Sequence, residues 1–152
     1  MIEEKSANNN LTATTEYVTH SAEETFELGR TIAEQLGHRA VFLLSGDLGA
    51  GKTVFTKGLA AGLEIDPADV TSPSFALINI HEGRLRLYHI DLYRLDQGAC
   101  FDLGLEEILD EARAVTVIEW AERLGYAPAG AIQIEILYDS DTERKINIRQ
   151  LA

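Results

Sequence analysis

Several features that would place this chain in a specialised class are scarce or missing. Its 152 residues include a single cysteine, Cys100, so no disulfide can form within the chain. No apolar run approaches the roughly 20 residues that a helix needs to cross a bilayer. Stretches such as Ala40–Leu44 have the length of a strand instead. These absences exclude a disulfide-built scaffold and a membrane protein built from spanning helices.

Positive charge is scarce as well. Lys and Arg total 13 against 25 Asp and Glu, which gives a formal net charge of −12. Such a surface repels polyanions, so we do not expect the chain to bind a nucleic acid directly on its own. The N-terminus lacks the basic start and the apolar core of a signal peptide. We therefore expect a cytoplasmic protein with no membrane partner.

What is present describes an ordinary globular chain. Hydrophobic residues make up 45% and charged residues 25%, and the length suits one domain. Residues 1–14 are polar and include Asn8, Asn9 and Asn10, so they offer little apolar surface to offset the entropy lost on ordering. We predict a flexible tail over residues 1–14 and one domain over residues 15–152.

The hydrophobic pattern predicts an α/β domain. Ser21 and Glu24 form an S-x-x-E capping box before a helical pattern that continues to Leu36. The uniformly apolar Ala40–Leu44 is typical of a central strand in a parallel sheet. Two strand-like runs joined by residues 81–84 favour an antiparallel hairpin. The remaining predictions are hairpin strands at 75–80 and 85–90, a short helix at 105–111 and strands at 115–119, 131–138 and 145–149.

Residues 46–53 match the phosphate-loop pattern G-x-x-x-x-G-K-[ST], with an apolar strand before them and a helical pattern after them. Glycines let the loop turn its backbone N–H groups around phosphate oxygens. Lys52 would reach the β and γ phosphates, and the Thr53 hydroxyl would ligate Mg²⁺. The motif predicts a P-loop NTPase fold, with a mixed, mostly parallel central sheet flanked by helices. The predicted nucleotide-binding residues of the loop are Gly46, Asp47, Leu48, Gly49, Ala50, Gly51, Lys52 and Thr53.

A P-loop site also needs an acid near the metal, usually at the end of a neighbouring apolar strand. Glu119 follows Val115–Ile118, and Asp91 follows Leu85–Ile90. Glu119 is the stronger candidate for the metal ligand. Asp91 is a rival ligand, a residue that positions the attacking water, or a side chain that caps the turn through Tyr93.

Four motifs occur in order along the chain: the phosphate loop, T-S-P-S-F at Thr71–Phe75, H-I-D-L-Y-R-L at His89–Leu95 and I-E-W at Ile118–Trp120. Together they resemble the TsaE family of tRNA-modification ATPases, and the resemblance extends from about Thr19 to Arg149. It implies bound ATP or ADP with Mg²⁺, and Thr53 and Glu119 as the metal ligands. It assigns Asp91 to hydrolysis, so that Lys52, Asp91 and Glu119 would carry the catalysis.

The same resemblance implies further contacts and a biological role. Thr71 would begin a switch segment near the γ-phosphate, and adenine contacts would lie around Ser21 and Arg144. The chain would hydrolyse ATP in the formation of N6-threonylcarbamoyladenosine at position 37 of tRNAs. It would act with TsaD and TsaB and meet tRNA only through that complex. We expect a weak basal rate that a partner raises, because hydrolysis needs several parts positioned at once.

Two other functions use the same loop. A small-molecule kinase would need an acceptor pocket and usually a basic lid, whereas Arg84, Arg86 and Arg94 alternate along the hairpin as on a solvated strand edge. A nucleotide switch or scaffold would bind ATP without hydrolysing it. A Ras-like GTPase is disfavoured, because the sequence has no Asn-Lys dipeptide and no D-x-x-G after the loop.

Overall fold

The computed structural model describes residues 2–7, 14–47, 49–71, 78–93 and 104–151. Within them, eight strands form one sheet in the order β1-β2-β8-β7-β3-β6-β5-β4. The strands are β1 Glu3–Ala7, β2 Thr14–Thr19, β3 Ala40–Gly46, β4 Ile78–His81, β5 Arg86–Asp91, β6 Ala114–Glu119, β7 Ile132–Tyr138 and β8 Arg144–Gln150. The helices are α1 Ala22–Glu34, α2 Lys52–Gly62 and α3 Leu105–Asp110, and 3₁₀ turns span Pro67–Asp69 and Ala121–Leu124. No helix in these residues is long and apolar enough to cross a membrane.

The centre of the sheet is parallel and its margins are antiparallel. Strand β3 lies between β6 and β7, and β5 follows β6, with all three pairings parallel. Residues 40–44 of β3 are all buried, as a strand covered on both faces requires. Strands β4 and β5 form the antiparallel hairpin, in which Ile78 pairs with Ile90. The predicted mixed α/β sheet, with its parallel centre and its hairpin, is confirmed.

Helices α1 and α2 cover one face of the sheet. Helix α1 begins at the predicted capping box, where the Ser21 hydroxyl accepts a hydrogen bond from the Glu24 N–H at 3.1 Å. The two helices cross so closely that a Cβ at Gly58 would lie 2.1 Å from the Phe26 carbonyl oxygen. Beneath them lies the larger core cluster, which includes Phe42, Phe55, Leu59, Leu63, Leu87 and Val117.

The opposite face has a smaller core. Val41, Leu43 and Ile118 pack there with α3 and with the 3₁₀ turn at Ala121–Leu124. Because side chains alternate along a strand, consecutive residues of β3, β5 and β6 belong to different faces. This alternation decides which strand-end side chains face α2.

The N-terminus differs from the prediction. Residues 3–7 form β1, which pairs antiparallel with β2, so a strand lies within the segment for which the sequence predicted a tail. The flexibility of residues 1–14 stays a prediction. Strand β2 in turn pairs with β8. Backbone hydrogen bonds along these ladders offset the cost of ordering a polar segment, and composition alone does not reveal them. Residues 8–13 lie outside the described part of the chain.

Candidate functional site

Three of the predicted site residues, Gly46, Asp91 and Glu119, lie at the carboxyl ends of parallel strands. Strand β3 ends at Gly46, and the loop that follows leads into α2 at Lys52. Glu119 ends β6 in register with Leu44 of β3 and with Asp91, which ends β5. Since Leu87 and Val117 face α2 in the larger core, alternation also turns Asp91 and Glu119 toward α2. The two acids therefore lie on the same side as the phosphate loop.

The loop itself is shaped by glycine. Gly46, Gly49 and Gly51 have φ angles of 152°, 76° and 112°, which residues other than glycine rarely adopt. A Cβ at Gly46 would lie 2.3 Å from the Ile136 carbonyl oxygen on the neighbouring strand. The Ala50 N–H donates to the Asp47 carbonyl at 3.0 Å, which closes a tight turn. This backbone fits the cradle that a polyphosphate needs, although Leu48 lies outside the described residues.

Lys52 lies between the loop and the acidic strand end. Its ammonium nitrogen donates to the Gly46 carbonyl oxygen at 3.3 Å and lies 4.0 Å from Oε1 of Glu119. The Lys52 side chain is only 16% exposed, so its charge is held close to the loop. Thr53 follows it in the first turn of α2 and is partly buried. The positive charge thus lies beside the loop that is predicted to bind phosphate.

Glu119 has its two carboxylate oxygens in different surroundings. Oε1 is the oxygen near Lys52, whereas Oε2 lies 2.8 Å from Nε2 of His89. The Glu119 side chain is 9% exposed. Oε2 is therefore bound inside the fold by His89, whereas Oε1 points toward the loop. The Thr53 hydroxyl and the Glu119 carboxylate are both hard oxygen donors of the kind that Mg²⁺ prefers. The residues present fit this metal, and their ligation of it stays a prediction.

Sequence reasoning missed His89. The residue is completely buried in β5, two positions before Asp91, and its second ring nitrogen, Nδ1, has no hydrogen-bond partner among the described residues. A histidine at an inward position of an apolar strand, just before a strand-end acid, was the available signal. It was overlooked because its partner, Glu119, is distant in sequence.

Asp91 makes the turn contact that was one of its three alternatives. Its Oδ1 accepts a hydrogen bond from the Tyr93 N–H at 2.8 Å, so it caps the turn after β5. The Tyr93 ring also lies against Trp120, with ring centroids 4.9 Å apart and planes tilted by 54°. Trp120 follows Glu119 with a φ of 60°. A role for Asp91 in positioning water stays a prediction.

The predicted adenine contacts border one cavity. A cavity of about 380 Å³ lies beside the loop and is lined by Ser21, Arg144, Gly49 and Ala50, among others. The Arg144 guanidinium donates to the Ala50 carbonyl at 3.0 Å and lies 4.3 Å over the Tyr138 ring. Arg144 therefore braces the loop as well as lining the cavity. A larger cavity, of about 780 Å³, contains none of the predicted site residues.

Some predictions fall at or beyond the limits of the described chain. Thr71 is exposed at the end of a described segment. The remainder of the switch motif, residues 72–75, lies outside the described residues, as do Arg94 and Cys100. Their predicted roles stay predictions.

The interpretation of the arginines as a solvated strand edge is wrong for Arg84. Its guanidinium donates to the carbonyl oxygens of Ala33 and Leu36 near the end of α1 and of Gly62 at the end of α2. Carbonyl groups at and just beyond the end of a helix lack the N–H four residues on that a continuing helix would supply, so they can accept hydrogen bonds from a guanidinium. Arg86 is engaged with Glu82 at 2.7 Å and Glu111 at 3.2 Å. Because both guanidinium groups bind other parts of the fold, they are poorly suited to form the basic lid that a small-molecule kinase needs.

Comparison with known proteins identifies related chains. The profile of the family described as "Threonylcarbamoyl adenosine biosynthesis protein TsaE" matches residues 19–146. A tRNA threonylcarbamoyladenosine biosynthesis protein TsaE of a Nostoc species is 42% identical over 130 residues, covering 83% of this chain and 80% of that protein. The protein of the same name from Treponema pallidum is 40% identical over 133 residues, covering 86% of this chain and 97% of that protein. The crystal structure of YdiB from Bacillus subtilis superposes with a TM-score of 0.78 at 34% identity, covering 95% of this chain and 90% of that one.

Proposed function

This chain belongs to the TsaE family, and from that premise we propose that it is a Mg²⁺-dependent ATPase of tRNA threonylcarbamoyladenosine biosynthesis. The observation that carries the proposal is the meeting of the phosphate loop with the family's glutamate, where Oε1 of Glu119 lies 4.0 Å from the Lys52 ammonium. A charged residue on α2 and an acid at the end of β6 converge at one edge of the sheet. P-loop enzymes need this pairing for phosphoryl transfer.

The loop binds the triphosphate of ATP. Backbone N–H groups between Gly46 and Thr53 surround the phosphate oxygens, and α2 adds the positive end of its dipole at Lys52. The Lys52 ammonium leaves its 3.3 Å contact with the Gly46 carbonyl for the more strongly charged β and γ phosphates. Loop and lysine together hold the nucleotide before any bond breaks.

Glu119 and Asp91, at the ends of β6 and β5, form what we call the acidic edge, and they prepare the hydrolytic step. The Thr53 hydroxyl and the Glu119 carboxylate hold Mg²⁺, which when bound neutralises charge on the β and γ phosphates. Asp91 orients the attacking water from the end of β5, beside Glu119 in the sheet. Lys52 stabilises the negative charge that spreads over the phosphoryl oxygens in a loose transition state. Water is the acceptor, and no covalent intermediate on the chain is needed.

The base of the nucleotide occupies the cavity beside the loop. Ser21 and Arg144 line this space of about 380 Å³, next to Gly49 and Ala50. Its volume lies within the usual range for small-molecule sites. The switch segment that starts at Thr71 reports the presence of the γ-phosphate.

Partners complete the function. In keeping with its family, the chain acts in the cytoplasm with TsaD and TsaB and reaches tRNA through them. Its net charge of −12 agrees with indirect contact, because a strongly acidic surface repels an extended polyanion. Hydrolysis is slow for the isolated chain and faster in the complex, because several parts of the site must be positioned at once.

The test measures Mg²⁺-dependent ATP hydrolysis by the purified chain, alone and with TsaB and TsaD. We expect weak activity alone and clear stimulation in the complex, and we expect Glu119→Ala to abolish both. Glu122→Ala is the matched control, because Glu122 is an exposed glutamate one turn further along the chain. ATP binding without hydrolysis under either condition would contradict the proposed ATPase activity and favour a nucleotide switch. Transfer of labelled phosphate to a small molecule would favour a kinase.

A further inference from the structure

We propose that His89 is a positioning residue that holds the Glu119 carboxylate by one oxygen and thereby directs the other oxygen to the metal position beside the phosphate loop. The inference rests on the proposed function, in which Glu119 ligates Mg²⁺. It adds a residue to that site to which no role has been given so far. His89 would touch neither the nucleotide nor the metal and would act only through Glu119.

The division of the two carboxylate oxygens is the first observation. Nε2 of His89 lies 2.8 Å from Oε2 of Glu119, whereas Oε1 is the oxygen 4.0 Å from the Lys52 ammonium. An isolated carboxylate rotates freely about its last torsion, because this torsion has only a broad preference. A hydrogen bond to one oxygen fixes that rotation. The remaining oxygen is then directed toward the loop before nucleotide and metal arrive.

The rigidity of the support is the second observation. His89 lies in β5, a strand hydrogen-bonded to β6 on one side and to β4 on the other. Its side chain is 0% exposed, and its neighbour Leu87 belongs to the core under α2. Glu119 lies on the adjacent strand and faces the same way. Both ends of the hydrogen bond are therefore carried by buried positions on paired strands, and strands hold side chains more precisely than loops do.

The unsatisfied ring nitrogen is the third observation. With the Nε2 proton donated to Glu119, Nδ1 is left as a buried acceptor that has no partner among the described residues. Burying a half-satisfied imidazole lowers stability, and an apolar side chain of similar volume would pack there at less cost. Packing alone thus gives no reason for a histidine at this position, whereas the orientation of the Glu119 carboxylate does give one.

Metal sites commonly depend on such outer partners. Carboxylates that ligate a metal are themselves hydrogen-bonded, and loss of the outer partner typically lowers metal affinity about 10- to 100-fold. The expected signature is therefore a change in the Mg²⁺ dependence of nucleotide binding. Binding of the nucleotide without metal should be unchanged, since the loop backbone and Lys52 remain intact.

The experiment compares two amides at the same position. His89→Gln places an amide N–H at about the reach of Nε2, whereas His89→Asn carries the same group on a shorter chain that ends near the position of Nδ1. Binding of the fluorescent analogue mant-ATP is titrated with Mg²⁺ and, separately, in excess EDTA. We expect His89→Asn to raise the Mg²⁺ midpoint about 10- to 100-fold. We expect His89→Gln to stay within about threefold of the wild type, and both variants to bind mant-ATP normally in EDTA.

A double-mutant comparison isolates the route through Glu119. In a Glu119→Gln background, His89→Asn should raise the Mg²⁺ midpoint no further, because the carboxylate it positions is already gone. Full additivity of the two changes would overturn the proposal, as would equal shifts in His89→Gln and His89→Asn. His89→Met, which has a similar volume and no donor, repeats the test if the buried asparagine prevents folding. If the wild type fails to bind mant-ATP, or binds it without any Mg²⁺ dependence, the proposed function itself falls.

Discussion

The phosphate loop and the acidic edge beside it are held in place by different means. The loop is fixed by backbone, since Gly46 is pressed against the Ile136 carbonyl and Gly51 enters α2 with a φ of 112°. The acidic edge depends on side-chain hydrogen bonds, from His89 to Glu119 and from the Tyr93 N–H to Asp91. We therefore expect the proposed nucleotide binding to depend on the loop backbone, and the proposed metal placement and hydrolysis to depend on single side chains.

The largest effect is expected where the loop backbone is disturbed. Gly46→Ala would place a Cβ 2.3 Å from a neighbouring carbonyl oxygen, at a φ of 152°. We expect a loss of about 3 kcal/mol of folding stability and no measurable binding of mant-ATP. Chemical denaturation and fluorescence titration measure the two. Gly37→Ala is the matched control, because a Cβ there meets nothing within 4 Å. Normal nucleotide binding by Gly46→Ala would show that the cradle tolerates movement.

A smaller effect is expected when the backbone is kept and the loop charge is removed. Lys52→Ala should weaken binding of ATP without metal about 100-fold, because a charge-assisted contact contributes about 1.5 to 3 kcal/mol. Folding stability should change little, since among the described residues the Lys52 ammonium makes only the 3.3 Å contact with the Gly46 carbonyl and the 4.0 Å approach to Glu119. Lys57→Ala on the same helix is the control. If Lys52→Ala and Lys57→Ala lost the same affinity for ATP, the predicted contact of Lys52 with the phosphates would be contradicted.

The acidic edge gives a sharper separation at Asp91. Asn can still accept the hydrogen bond from the Tyr93 N–H, so Asp91→Asn keeps the turn and removes the charge. If Asp91 positions water, the hydrolysis rate should fall at least about tenfold, with ATP affinity and thermal stability unchanged. If Asp91 only caps the turn, the rate should stay at the wild-type level. Steady-state hydrolysis in the presence of the partners decides between the two roles.

The smallest expected effect concerns His81 on β4. Burial lowers the pKa of His81 below its usual value, while the charge of Asp69 opposes this shift. The unfolded chain therefore binds the proton more readily than the folded one, and stability is lost as the pH falls through and below about 6.5. His81→Gln should flatten the decline in Tm between about pH 7.5 and 5.5 by on the order of 1 to 2 °C. If the slope of Tm against pH did not change in His81→Gln, the loss of stability at low pH would come from other titratable groups.

Local patterns predicted much of this protein correctly. The phosphate loop, its preceding strand and its following helix were evident because each depends on neighbouring residues, through glycine, apolar runs and helical periodicity. The capping box at Ser21 located the start of α1 for the same reason. Strands β1 and β2 were missed because they are largely polar, and their pairing with each other and with β8 is not visible in the local sequence pattern.

The contacts between distant elements became evident only in the folded chain. The sequence alone predicted the glycine loop, the strand ends that carry Asp91 and Glu119, and the family to which the motifs belong. It did not reveal that Arg84 binds the carbonyl ends of two helices, or that His89 meets Glu119. These contacts join residues far apart in the chain, and the register of parallel strands brings them together. Local periodicity shows which residues face inward, and long-range pairing determines which inward residues touch.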